Sequence, residues 1–166
     1  MTRLTCMRAA LPAVVVTVAT TFLLSACGQG TPVASDPGPS ESPTPTASPT
    51  VGTYPAFAPP DYAFTLKVSC FCADAGQPIR VTVAGGKVSD AVWARTGRGH
   101  VEGDPVEKYR WITINDVIDA ANDTGAAQVD VTWPAGQDWP TSVYVDQSKN
   151  MADEEIGYTV SDVAVG

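Results

Sequence analysis

The stretch from Tyr62 to Cys72 reads Tyr-Ala-Phe-Thr-Leu-Lys-Val-Ser-Cys-Phe-Cys. At period two, Tyr62, Phe64, Leu66, Val68, Cys70 and Cys72 share one face, while Ala63, Thr65, Lys67, Ser69 and Phe71 share the other. This alternation predicts a half-buried strand with both cysteines on the apolar side. Such a strand needs partners beside it and a layer over its apolar face. The rest of the chain has to supply both.

Downstream the partners are legible. Pro78 to Ala84 alternates again, with Ile79, Val81 and Val83 on one face. Gly85-Gly86 predicts a two-residue hairpin, because both central positions of a type I′ turn need positive φ. Lys87 to Trp93 returns, and a bulge near Ser89 is needed to turn Asp90 outward and Ala91 inward. Thr96 to Lys108 carries glycine, proline and charge and reads as a loop. It contains the chain's single histidine, His100. A helix is predicted over Ile114 to Asp123, where Ile114, Val117, Ile118 and Ala121 follow the i, i+3, i+4, i+7 pattern. Thr113 and Asp116 occupy the capping-box positions, Ile112 and Val117 the hydrophobic staple, and Gly125 the C′ position. Three more strands follow: Gln128 to Trp133, Thr141 to Asp146 and Ile156 to Val165. One short helix covers one sheet face only. The order β-β-β-α-β-β-β therefore predicts an α+β domain, with an antiparallel sheet of about six strands packed against one helix.

Upstream, the sequence delivers and tethers. Residues 1–26 read as a secretory signal, with Arg3 and Arg8 before an apolar run from Ala9 to Leu24. The run ends in Leu24-Ser25-Ala26-Cys27, which resembles the lipobox of bacterial lipoproteins. That resemblance implies a diacylglyceryl group on Cys27, and two acyl chains suffice for stable anchoring. The expectation is a domain on the extracytoplasmic face of the cell membrane, held there through lipid on Cys27. Residues 27–60 hold nine of the 14 prolines among Ser, Thr, Ala and Gly. So little apolar surface does not offset the entropy of ordering, and a disordered linker is predicted. The folded domain is expected to span residues 61–166, with no core contribution from the linker and with Tyr54 and Phe57 as the first residues to touch it.

Charge narrows the partners. Arg3 and Arg8 leave with the signal, so 8 basic residues remain against 18 acidic ones and the net charge falls from −8 to −10. A domain this acidic lacks the basic face that phosphate contacts need, which excludes nucleic acid as the partner class.

Three groups of residues carry a resemblance: Tyr62…Cys70-Phe71-Cys72, Trp133-Pro134…Trp139-Pro140-Thr141-Ser142, and Asp146…Ala152-Asp153-Glu154-Glu155…Tyr158-Thr159-Val160. Together they resemble domain-of-unknown-function family 6174. The resemblance implies a small secreted or lipid-anchored bacterial domain over roughly Asp61 to Val165. It brings no activity, cofactor or catalytic residue.

No catalytic constellation emerges from the residues themselves. His100 is the sole candidate base at neutral pH, and no nucleophile elbow places a serine beside it. The acidic run from Asp146 fails the EF-hand template, with Met151 at the glycine position and Gly157 at the glutamate position. Trp139, beside Asp138 in a polar turn, is the candidate surface-binding aromatic, whereas Trp133 continues the core face of Val129 and Val131.

Cys70 and Cys72 remain the two thiols outside the signal and the lipid site. In a regular strand their Cα atoms would lie about 6.7 Å apart with parallel side chains, too far for a disulfide. A bond requires a kink at Phe71. Three states stay open: a local disulfide, free buried thiols, or a metal pair that needs a further ligand such as His100 or Met151. The expected function is accordingly a non-catalytic module that binds an envelope protein or polymer. The alternative is a thiol-redox or metal-handling lipoprotein using Cys70 and Cys72.

Overall fold

The computed structural model describes residues 48–151 and 153–166. The signal stretch, Cys27 and the linker up to residue 47 lie outside the described residues. The elements are β1 (Tyr62–Ser69), β2 (Pro78–Ala84), β3 (Lys87–Trp93), a 3-10 turn (Lys108–Arg110), α1 (Ile114–Ala121), β4 (Gln128–Thr132), β5 (Ser142–Asp146) and β6 (Glu155–Val165). The strands form a six-stranded sheet in the order β3-β2-β1-β6-β5-β4. Every neighbouring pair is antiparallel. Two three-stranded meanders thus meet edge to edge at β1 and β6.

Alternation decides which face is covered. Phe64, Leu66, Ile79, Val81, Val143, Val145 and Val160 point inward and are fully buried with Ile114, Val117 and Ile118 of α1. Gly85 and Gly86 both take positive φ, 59° and 74°, as the β2–β3 turn requires. The register then shifts between Thr82/Asp90 and Val83/Val88, leaving Ser89 as the extra residue. This bulge turns Ala91 into the core and leaves Asp90 exposed. A second bulge lies in β6, where Thr65 faces Ser161 but Ala63 faces Ala164. Asp162 absorbs it at φ 54°, a left-handed conformation that aspartate tolerates.

The helix is capped as expected at its start. Asp116 N donates to Thr113 Oγ1 at 3.1 Å, and Thr113 N donates to Asp116 Oδ2 at 2.7 Å. Its end differs. Asn122 is the C-cap, and Gly125 lies past C′, donating its N–H to Asp123 Oδ1 at 2.9 Å in a side-chain-closed turn. An aspartate that satisfies backbone locally ends the helix two residues before the expected Asp123.

The domain also begins earlier than Asp61. Phe57 is 3% exposed and belongs to the core. Two asparagines, Asn115 in the first turn of α1 and Asn122 at its C-cap, hold this upstream segment by its backbone. Asn115 accepts from Phe57 N at 2.8 Å and donates to Phe57 O at 3.1 Å. Asn122 accepts from Tyr54 N at 2.8 Å and donates to Tyr54 O at 3.0 Å. Seven helical residues rise about 10.5 Å, which matches the roughly 10 Å spanned by three extended residues. The spacing of the two asparagines therefore fits the spacing of Tyr54 and Phe57. The sequence offers Tyr54 and Phe57 as contact residues, but the asparagines that fix them lie 68 and 58 residues away, where no local pattern records them.

Phe57→Ala is expected to lower stability by about 3–5 kcal/mol, the usual range for a buried phenylalanine. Urea denaturation of the chain from Pro45 to Gly166 measures it. A chain starting at Asp61 should show a lower midpoint than one starting at Pro45.

Candidate functional site

The site forms where β1 stops. Cys70, expected inside the strand, lies just beyond its end at Ser69. Gly76 N donates to Val68 O at 2.7 Å, Cys72 N to Cys70 O at 2.9 Å, and Ala75 N to Cys72 O at 3.3 Å. These bonds fold Phe71 to Gly76 back on the strand end, helped by a positive φ of 73° at Gly76. The kink at Phe71 brings the Cα atoms of Cys70 and Cys72 to 5.3 Å, and their sulfurs form a disulfide.

Below the disulfide lies the only ion pair among the described residues. Arg110 Nε donates to Asp74 Oδ2 at 2.8 Å, and Arg110 Nη2 donates to Asp74 Oδ1 at 2.8 Å. The two side chains are 7% and 9% exposed. The same Nη2 donates to Cys72 Sγ at 3.0 Å and to Cys70 Sγ at 3.3 Å. One nitrogen thus bridges the carboxylate and both sulfurs. The hydrogen bond from Arg110 holds the Asp74 carboxyl below the usual carboxylate range, against a smaller opposing effect of burial. Arg110 sits on the 3-10 turn, whose backbone is closed by Arg110 N donating to Glu107 O at 2.9 Å.

Above the disulfide, Phe71 projects into solvent, 89% exposed. Tyr109, 66% exposed, is the next large aromatic. Its ring centre lies 5.0 Å from the Arg110 guanidinium carbon. On one side, Ser69, Cys70, Phe71, Tyr144, Glu155 and Gly157 line an open cleft of about 240 Å³. Gly157 lets its ladder partner Ser69 approach closely, since an added Cβ would meet Ser69 Cβ at 3.3 Å. Cys72 does not line this cleft.

The other sequence-nominated residues lie elsewhere or are engaged. His100 stacks on the buried Trp93 ring, with centroids 4.0 Å apart and planes 19° from parallel. It is half-buried, so it differs from a free loop histidine. Trp139 does not stand alone on the surface. Its ring packs edge-on against Phe57 at 5.7 Å, which makes it part of the strap's seat. Trp133 stacks on Tyr54 at 5.1 Å and donates Nε1–H to Gln137 O at 2.6 Å. Asp146 is buried and caps its own turn, accepting from Ser148 N at 2.8 Å. Cys70, Cys72 and Asp74 bring donor atoms within 4.8 Å of one another. Here the sulfurs are bonded to each other, and both carboxylate oxygens are held by Arg110.

Sequence reasoning missed Asp74 and Arg110. Asp74 was visible as the last member of a Cys-x-Cys-x-Asp run. Arg110 had a weaker signal, a lone cation between Tyr109 and Trp111. Nothing local joins positions 36 residues apart.

Fold and site define a small α+β domain that seats a Cys-x-Cys disulfide on a buried arginine–aspartate pair. The chain belongs to the family of unknown function designated DUF6174, whose sequence profile matches residues 46–165. The match includes the strap as well as the sheet. No curated protein and no solved structure matches the chain.

Acid should loosen this site. The folded-state pKa of Asp74 lies below its unfolded value, so the pair's contribution is full above the unfolded value, about 3.9. It is lost as pH falls through that value and then through the folded one. Asp74→Asn should remove this contribution and cost about 3 kcal/mol at pH 7, as for a broken buried pair. Between pH 7 and pH 2 the variant's melting temperature should fall less steeply than that of the native chain. Thermal melts at stepped pH read the difference.

Proposed function

We propose that this protein is a lipid-anchored domain on the extracytoplasmic face of a bacterial membrane that binds an envelope protein or polymer through the Cys70-Phe71-Cys72 knuckle. The observation that carries the reading is the exposure of Phe71. A phenylalanine that contributes nothing to the core, on a one-residue loop closed by a disulfide, is a contact residue held ready. Aromatic anchors of this kind supply much of the energy of interfaces. A locked loop also loses less conformational entropy on binding than a mobile one.

The surroundings support the same surface. Tyr109 adds a second exposed aromatic beside the Arg110 support. The adjoining cleft offers a hydroxyl, a carboxylate and a glycine floor for polar contacts. The anchoring half of the reading rests on the Leu24-Ser25-Ala26-Cys27 run and on the proline-rich residues after it.

Crosslinking at the cell surface followed by affinity capture tests both halves. Phe71→Ser should keep the far-ultraviolet circular dichroism of the native chain and lose the captured partner. Capture of the same partner in equal yield would sink the binding surface. Cys27→Ser should release the protein from the membrane fraction or leave it unprocessed. Normal processing with retained membrane association would remove the lipid anchor from the reading.

A further inference from the structure

The Cys70–Cys72 bond has a feature that a purely structural disulfide does not need. A guanidinium N–H points at its sulfurs. Arg110 Nη2 carries two hydrogens. Asp74 Oδ1 takes one at 2.8 Å, which aims the other between Cys72 Sγ at 3.0 Å and Cys70 Sγ at 3.3 Å. Neutral disulfide sulfurs are weak acceptors and gain little from this donor. A thiolate gains far more, because a hydrogen bond to the charged form favours that form. The donor is therefore placed for a state in which the bond is open.

We propose that Cys70–Cys72 is an exchange-active disulfide, attacked at Cys70, with Cys72 leaving as a thiolate stabilised by Arg110. The step is a two-electron exchange. An external thiolate forms a bond to Cys70 Sγ, the Cys70–Cys72 bond breaks, and its electron pair leaves on Cys72 Sγ. A second external thiolate then attacks the mixed disulfide. Its products are an external disulfide and a reduced Cys70–Cys72 pair, so the protein is reduced by two electrons and the two external thiols are oxidised. The partner class is a dithiol, or a pair of thiols, on another molecule.

Two observations choose the direction, since an open pocket lined by Cys70, Phe71, Cys72 and Ala73 leaves both half-buried sulfurs within reach of a thiolate. Cys72 is the sulfur nearer to Arg110 Nη2. Glu155 lies in the cleft with Cys70 and disfavours a second negative charge there. A lower-pKa thiol is the better leaving group, so the arginine speeds departure from Cys72.

The other charges around the bond do not cancel this bias. Asp74 neutralises much of the arginine's net charge but leaves the N–H directed at sulfur. Tyr109 lies against the guanidinium, and Tyr144 lines the Cys70 side of the cleft. His100 is close enough to lower the Asp74 pKa further, as the weakest of the influences on it. Arg98 Nη1 lies 3.4 Å from Ala73 O, adding a second cation beside the knuckle.

The inference stands apart from the binding reading, since it needs no partner to be measured. The purified protein is exposed briefly to limiting glutathione, quenched with acid and mapped by mass spectrometry. Glutathione on Cys70 with a free thiol at Cys72 is the expected result. Glutathione on Cys72, or a disulfide still intact under excess glutathione with neither an adduct nor a free thiol, would overturn the proposal. The reduced protein is then titrated by thiolate absorbance. The first of the pair's two titrations should fall below the ordinary cysteine value of about 8.5, and Arg110→Met should raise it and slow exchange at pH 7 by about tenfold. Arg110→Lys should restore part of both. If Arg110→Met fails to fold, the native titration decides alone: a first pKa at or above about 8.5 rejects the proposal.

Discussion

The pairing of β1 with β6 is the constraint on which this structure depends. Tyr62 pairs with Val165 and Ser69 with Gly157, so residues from the two ends of the domain form its central ladder. Without that ladder the sheet is two three-stranded meanders, and the single core that both share is divided. The ladder is also the costliest contact to close, since the loop it completes holds nearly the whole domain. Its register carries the site. The same ladder that buries Leu66 beside Val160 sets Ser69 against Gly157, and so places the strand end where the knuckle begins.

Arg110 ties that end to the other half of the chain. A buried arginine carries a large desolvation cost, which Asp74 offsets through two hydrogen bonds of 2.8 Å. The pair locks the turn after β1 to the 3-10 turn before α1. Replacing such a pair by apolar residues of the same volume is often neutral or stabilising, so the pair is weak evidence for stability. The proposed exchange rests on its contact with both sulfurs.

The proposed binding and the proposed exchange use the same atoms in different ways. The disulfide holds Phe71 in a one-residue loop, and it is also the bond beside the directed N–H of Arg110. The strap is held by backbone recognition and ring packing. Asn115 and Asn122 read backbone amides, and Trp133 and Trp139 receive Tyr54 and Phe57. Both devices are built from residues outside the strands, laid on a sheet that supplies rigidity.

Six strands and one helix were legible in the sequence, apart from the end of α1, the end of β1 and the 3-10 turn. Alternation in β1, β2 and β5, the Gly85-Gly86 turn, the Ser89 bulge and the Thr113–Asp116 cap are all written within a few residues, because each obeys a local period or a local steric rule. The α+β class follows from counting faces, one helix against one sheet. Tertiary structure alone decided three things. It made the strap part of the domain, because its hydrogen bonds span 58 and 68 residues. It set the half-buried Trp139 edge-on against Phe57. And it placed Arg110 beneath Cys70 and Cys72, across 40 and 38 residues, because the partners of a buried charge are set by where the chain folds back and no local pattern records that distance.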